Sequence, residues 1–80
     1  MNRDDFSFLI YPNPSSGIFQ INLPKDANYI IIYDIIGNIV YQENLVSQNS
    51  IDLNLNINGI YLVSISTPTK TMNQKLIINR

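Results

Sequence analysis

The sequence predicts an all-β fold, and three observations support this prediction. Ile is by far the commonest apolar residue and Ala27 is the single alanine, and the β-branched and aromatic side chains of Ile, Val, Tyr and Phe favour extended strands. Short apolar segments recur at roughly ten-residue spacing, separated by turns rich in Pro, Gly, Asn and Ser. No segment keeps a helical period. Together these features predict an immunoglobulin-like β-sandwich of about seven short antiparallel strands with Greek-key connections.

The strongest strand signal is a hairpin in the middle of the chain. Residues 29–33 are apolar at every position, which predicts a central strand covered on both faces for much of its length. Asp34 and Gly37 favour a short loop built around a type I turn, because an Asp side chain binds nearby backbone amides and Gly accepts positive φ. Residues 39–41 begin the returning strand.

The remaining strands follow from apolar alternation and turn residues. The sequence predicts a first strand at residues 6–11, a proline-forced turn at 12–17, a half-buried strand at 19–23, an alternating strand at 51–57, and final strands at 59–65 and 72–79.

The junction at Asn58-Gly59 has two interpretations. Asn-Gly between apolar runs is a strong signal for a two-residue hairpin. Leu55, Gly59 and Tyr61 also have the spacing of a tyrosine corner, in which a tyrosine hydroxyl bonds back to the backbone where the chain crosses between sheets. We favour the crossover, because a sandwich needs such connections.

Length and composition narrow the class of protein. Eighty residues suffice for one domain, expected at residues 6–80 after a polar linker at 1–5. Five basic and six acidic residues give no electrostatic case for binding nucleic acid or an anionic membrane. No segment is long and apolar enough for a transmembrane helix, so direct membrane insertion is not expected.

Residues for catalysis and metal binding are scarce. The chain has no His and no Cys, which removes the base or nucleophile of most hydrolytic sites. Asp34 is explained by its turn, Glu43 and Asp52 by polar strand faces, and residues 4–5 with Asp26 give only weak support for calcium. The sequence therefore predicts a non-catalytic domain without a metal or cofactor.

Four sequence blocks, taken in order, resemble one known family. They are Tyr-Pro-Asn-Pro-Ser-Ser-Gly at 11–17, Ile-Tyr-Asp-Ile-Ile-Gly at 32–37, Asn-Gly-Ile-Tyr-Leu-Val at 58–63 and Lys-Leu-Ile-Ile-Asn-Arg at 75–80. This order is similar to that of the C-terminal sorting domain of type IX secretion substrates, in its type A form. The resemblance covers about residues 8–80.

The resemblance implies a function and a set of partners. Domains of this family are immunoglobulin-like sandwiches that direct an N-terminally attached cargo through the outer membrane of Gram-negative bacteria, for release or surface attachment. The implied partners are the type IX translocon, an outer-membrane shuttle protein and a cell-surface protease with sortase-like activity. The implied location is the periplasm in transit, then the cell surface or the extracellular space.

The resemblance also carries family-motif positions onto this chain. Asn38 departs from the basic residue common at its position in the family. Each motif position also has a structural explanation that needs no partner: the residue forms a turn, adopts a positive φ, holds the tyrosine corner or belongs to a sheet strand. The candidate binding residues are Pro12, Asn13, Pro14, Gly17, Asp34, Gly37, Gly59, Tyr61, Lys75, Leu76 and Ile78.

Two further hypotheses remain open on the sequence. The last strand, at residues 72–79, is expected to present an open sheet edge to which a partner adds a strand. The alternative function is an immunoglobulin-like or fibronectin-like accessory module of a secreted enzyme, which binds carbohydrate or protein, for instance through exposed tyrosines. A sorting domain must end its precursor, whereas such a module can be followed by more protein.

Overall fold

Seven strands form the fold in the computed structural model, which describes residues 8–80. The expected linker at 1–5 and the start of the first strand at 6–7 lie outside the described residues. Within residues 8–80 no helix is suited to crossing a membrane. The strands are β1 (Leu9–Tyr11), β2 (Ile18–Asn22), β3 (Tyr29–Asp34), β4 (Ile39–Asn44), β5 (Ser50–Asn54), β6 (Gly59–Ser66) and β7 (Thr71–Ile78).

The strands pair into two antiparallel sheets. One sheet has the order β1-β2-β5 and the other the order β4-β3-β6-β7. Strands far apart in sequence become neighbours, as when β3 pairs with β6 and β2 with β5, because the chain crosses between the sheets three times. The predicted all-β sandwich is confirmed.

The core lies between the inner faces of the two sheets. Ile30 and Ile32 of β3 are completely buried, and burying such a side chain contributes about 1.5–3 kcal/mol relative to leaving it exposed. They pack with Phe8, which precedes β1, and with alternate residues of the other strands: Ile10, Phe19, Ile21, Ile51, Val63, Ile65, Leu76 and Ile78.

Strand β3 is buried on one face only. Tyr29, Ile31 and Tyr33, on its outer face, are half-buried. Neighbouring side chains of β4 and β6 shield them, but the sandwich has only two layers. The prediction of a strand covered on both faces is therefore wrong for the outer face, although its central place in the sheet is confirmed.

The alternating pattern at residues 51–57 overstates the length of β5. Ile51 is buried and Leu53 and Leu55 are half-buried, whereas Ile57 is 73% exposed. The strand ends at Asn54, because the chain leaves this sheet to cross to the other one.

Candidate functional site

All four sequence blocks meet at one end of the sandwich, here called the motif end. It consists of the loop 12–17, the turn 35–38, the crossover 55–58 and residues 79–80, which follow β7. Antiparallel strands place these segments at the same end, and hydrogen bonds join the loop, the crossover and the terminal residues to one another.

Asn13 ties the first block to the last strand. Its Nδ2 donates to the carbonyl oxygen of Lys75 at 2.8 Å, and its Oδ1 accepts from the backbone N–H of Ile77 at 3.0 Å. One amide side chain thus satisfies a backbone acceptor and a backbone donor on the edge of β7. The exposed residues Pro12 and Pro14 flank Asn13 and restrict the backbone that presents it.

Ser15 extends this contact through its backbone and its hydroxyl. Its N–H donates to the carbonyl of Ile77 at 2.8 Å, and its own carbonyl accepts from the N–H of Asn79 at 2.8 Å. The Ser15 hydroxyl donates to the carbonyl of Ile18 at 2.8 Å and accepts from the N–H of Gly17 at 3.0 Å. Ser15 is 2% exposed. Because water cannot reach it, its polar groups must be satisfied by these protein hydrogen bonds.

These contacts correct the open-edge hypothesis. Strand β7 is an edge strand of its sheet, but Asn13 and Ser15 occupy backbone groups of β7 at Lys75 and Ile77, and of Asn79 beyond it. A loop that covers a sheet edge blocks the addition of another strand there. The hypothesis of an open edge along residues 72–79 is therefore wrong for the second half of the strand.

Gly17 allows the loop to approach the crossover closely. It has φ +128°, and its carbonyl accepts from the N–H of Leu55 at 2.8 Å. A Cβ atom at position 17 would lie 3.1 Å from the Leu55 carbonyl oxygen. The backbone conformation thus favours glycine, and the short distance leaves little room for a Cβ atom.

The turn 35–38 has the predicted construction. The Asp34 carbonyl accepts from the N–H of Gly37 at 3.0 Å, and Gly37 has φ +95°. The Asp34 carboxylate accepts from the N–H groups of Ile36 and Asn38 at 3.1 and 2.9 Å. The Asn38 backbone N–H is the main reason why the pKa of Asp34 lies below its ordinary value of 3.8.

Tyr61 forms the predicted tyrosine corner. Its hydroxyl donates to the carbonyl of Ile57 at 2.6 Å, and the residue is 7% exposed. Its ring faces Gly59, where an added Cβ would meet ring atoms at 3.7–3.9 Å. Because β5 and β6 lie in different sheets, the crossover interpretation is confirmed and the hairpin interpretation is wrong.

Arg80 and the crossover make contacts that the sequence did not indicate. The backbone N–H of Arg80 donates to Asn58 Oδ1 at 2.9 Å, and its Nη1 donates to the carbonyl of Asn56 at 2.8 Å. Arg80 and Ser15 belong to the sequence blocks, but no local sequence pattern predicts which residues they form hydrogen bonds with. Sequence reasoning therefore missed both as candidate site residues.

The three candidates in the last block differ in accessibility. Lys75 is exposed, whereas Leu76 and Ile78 are 0% and 2% exposed. A partner of the folded domain can reach Lys75, but it cannot reach the other two, which belong to the core.

The tyrosines do not form a common platform in the part of the chain that the structure describes. Tyr61 is buried, and Tyr41 donates a hydrogen bond to Glu43. Burial, together with this hydrogen bond, raises the pKa of Tyr41 to about 12. The five tyrosines lie on β1, β3, β4 and β6.

The fold and the motif end define an immunoglobulin-like β-sandwich whose sequence motifs are concentrated at one end. The family model of the secretion system C-terminal sorting domain matches residues 9–79. The chain therefore belongs to the family of type IX secretion C-terminal sorting domains, which is a family of sorting signals for export and not of catalysts. No curated protein matches the chain.

Proposed function

We propose that this domain is a non-catalytic signal that directs an N-terminally attached cargo through the outer membrane by the type IX secretion system, for release or surface attachment. The observation that carries the proposal is the motif end. Family-motif residues up to 64 positions apart, such as Asn13 and Ile77, are in contact there. A partner that binds this end therefore recognises the folded domain, because the end forms only when these distant residues are in contact.

The motif residues divide into two roles under this proposal. Leu76, Ile78, Gly17 and Tyr61 build the shape, because they are buried or hold the backbone in place. The exposed motif residues, at this end or on the strands beside it, form the accessible surface: Pro12, Asn13, Pro14, Gly37, Gly59 and Lys75. Asp34, which is half-buried, holds the turn between them.

The implied partners are the translocon, an outer-membrane shuttle protein and a sortase-like surface protease. The cargo passes through the periplasm before it reaches the surface or the medium. Residues 6–80 form the sorting domain, and residues 1–5 link it to the cargo.

A reporter fusion tests the proposal. Residues 1–80 are joined to the C-terminus of a fluorescent protein behind a signal peptide, in a host that has the type IX system. We expect fluorescence at the cell surface or in the medium, and retention in the periplasm when the domain is omitted or the translocon is deleted. Periplasmic retention of an intact, folded fusion in the complete host would contradict the proposal.

A further inference from the structure

A groove lies on the outer face of the four-stranded sheet, beside the motif end. It encloses about 360 Å³ and is lined mainly by Tyr33, Ile35, Ile60, Leu62 and Lys75. These residues come from the second, third and fourth sequence blocks. The groove is separate from the edge of β7 that Asn13 and Ser15 close.

The strand register explains why the groove is apolar. Ile39, Tyr33, Leu62 and Lys75 lie side by side in one row across β4, β3, β6 and β7. Ile39 and Leu62 are 50% and 42% exposed, so the row leaves apolar surface uncovered. Towards the other end of the sheet the outer face becomes more polar, because Gln42, Ser64 and Asn73 share a row with Ile31 as its one apolar member.

Two charged side chains line the groove, and within residues 8–80 they differ in whether they are hydrogen-bonded. The Asp34 carboxylate, which also lines the groove, accepts hydrogen bonds from Ile36 and Asn38. The Lys75 ammonium makes no ion pair or hydrogen bond with any side chain within residues 8–80. The groove therefore combines an apolar floor with a lysine whose ammonium is open to a partner and a carboxylate that is already held by its own turn.

We propose that the groove binds an extended peptide segment of a protein partner, with an aliphatic or aromatic side chain on the apolar floor and a neighbouring carboxylate paired with Lys75. This inference rests on the proposed sorting function and specifies the chemistry of its partner. Charge complementarity selects an acidic segment over a basic one.

The charge pattern favours a peptide over a lipid surface. Recognition of anionic membranes uses clusters of roughly four to eight Lys or Arg residues. The groove offers one lysine, and the whole chain has a formal net charge of −1. A volume of about 360 Å³ matches a few side chains better than a lipid layer.

Peptide titration tests the inference directly. The ¹⁵N-labelled 80-residue domain is titrated with acetyl-Leu-Glu-Leu-amide and with acetyl-Leu-Lys-Leu-amide, and the amide signals are followed by NMR. We expect the glutamate peptide to perturb the signals of Tyr33, Leu62 and Lys75 and to bind roughly three- to tenfold more tightly than the lysine peptide.

Charge reversal supplies the matched control. Lys75→Glu is expected to reverse the preference between the two peptides, whereas Lys25→Glu, in an exposed loop at the other end, leaves it unchanged. Leu62→Ser is expected to weaken both peptides. Thermal unfolding confirms that each variant is folded before it is titrated.

Three outcomes of the peptide titrations would overturn the inference. They are perturbations confined to another surface, equal binding of the two peptides by the wild-type domain, and a preference that survives Lys75→Glu. Binding to phosphatidylglycerol vesicles that is lost in Lys75→Glu would also overturn it, because it would assign the groove to lipid.

Export of the same variants separates this inference from the proposed function. If the wild-type fusion is exported and the Lys75→Glu and Leu62→Ser fusions are exported equally well, the groove is not a binding site for the export machinery. The sorting role would then remain intact. Retention of the wild-type fusion would refute the sorting role, whatever the peptides do.

Discussion

The two ends of the sandwich are held together in different ways. The motif end depends on side chains that bond to distant backbone, as Asn13 does to Lys75 and Tyr61 does to Ile57. The opposite end consists of the loops 23–28, 45–49 and 67–70. It is closed by backbone bonds, such as Leu23 N–H to Asn49 O at 2.9 Å, and by local contacts within the turn at Thr67.

This difference indicates where residue identity matters. Backbone bonds can be made by any residue except proline as a donor, so the loops of the opposite end tolerate many sequences. Each side-chain bond of the motif end needs one particular residue. The concentration of family-motif positions at that end therefore has a structural cause, which holds whether or not a partner also reads the surface.

Glycine replacement gives the largest expected effect. Gly17→Ala should lower the free energy of unfolding by about 2–3 kcal/mol, because it adds a close contact to an unfavourable φ. Gly37→Ala, whose added Cβ meets nothing within 4 Å, should cost only about 1 kcal/mol. Urea denaturation of both variants measures the difference, and equal losses would show that the approach to Leu55 is unimportant.

Removal of a buried hydroxyl compares the two ends directly. Ser15→Ala should destabilise the domain by about 2 kcal/mol, because the Gly17 N–H loses its partner in a buried site and the part-buried bond to the Ile18 carbonyl is lost as well. Thr67→Ala removes a hydroxyl that accepts from the N–H groups of Thr69 and Lys70 in an exposed turn. Thr67→Ala should change the free energy of unfolding by no more than about 0.5 kcal/mol. Equal shifts of the denaturant midpoint for the two variants would refute the predicted difference between the two ends.

The tyrosine corner should contribute a smaller amount. Tyr61→Phe keeps the ring but removes the bond to Ile57, and should cost about 1 kcal/mol. Tyr29→Phe removes an exposed hydroxyl bond to Gln42 of 2.6 Å and is the matched control. A loss for Tyr29→Phe as large as that for Tyr61→Phe would contradict the special role of the corner.

Acid should weaken the turn at Asp34. Because the folded state lowers the pKa of this carboxyl, its contribution to stability is present above pH 3.8 and is lost as the pH falls through the folded-state pKa. The advantage of the wild-type domain over Asp34→Asn in thermal unfolding should therefore shrink below pH 3.8. An advantage that grows on acidification would contradict this sign.

Local signals allowed much of the fold to be predicted. The Asp34–Gly37 turn, the corner at Tyr61 and the alternation of Phe19 and Ile21 each depend on residues close together in sequence. The alternating pattern fails at Ile57, which it predicts to be buried. The side chain is exposed to solvent instead, because the chain has already left β5 and is crossing to the other sheet. The pattern of one strand contains no information about where its sheet ends.

Long-range contacts could not be predicted from local patterns. Nothing near Ser15 indicates that its backbone pairs with residues 77 and 79, and nothing near Lys75 indicates a groove with Tyr33 and Leu62. The motif order supplied the candidate residues, but only the sheet order and register bring them to one end.

Reporter export by two matched surface variants tests the central claim most directly. Ile36 at the motif end and Val46 at the opposite end are 79% and 76% exposed, so replacing either by Ser should change stability by no more than about 0.5 kcal/mol. We predict that Ile36→Ser lowers the exported fraction of the fusion, while Val46→Ser leaves it at the wild-type level. Equal export of the two variants, or a loss confined to Val46→Ser, would contradict the claim that the motif end is the part of the domain that is recognised.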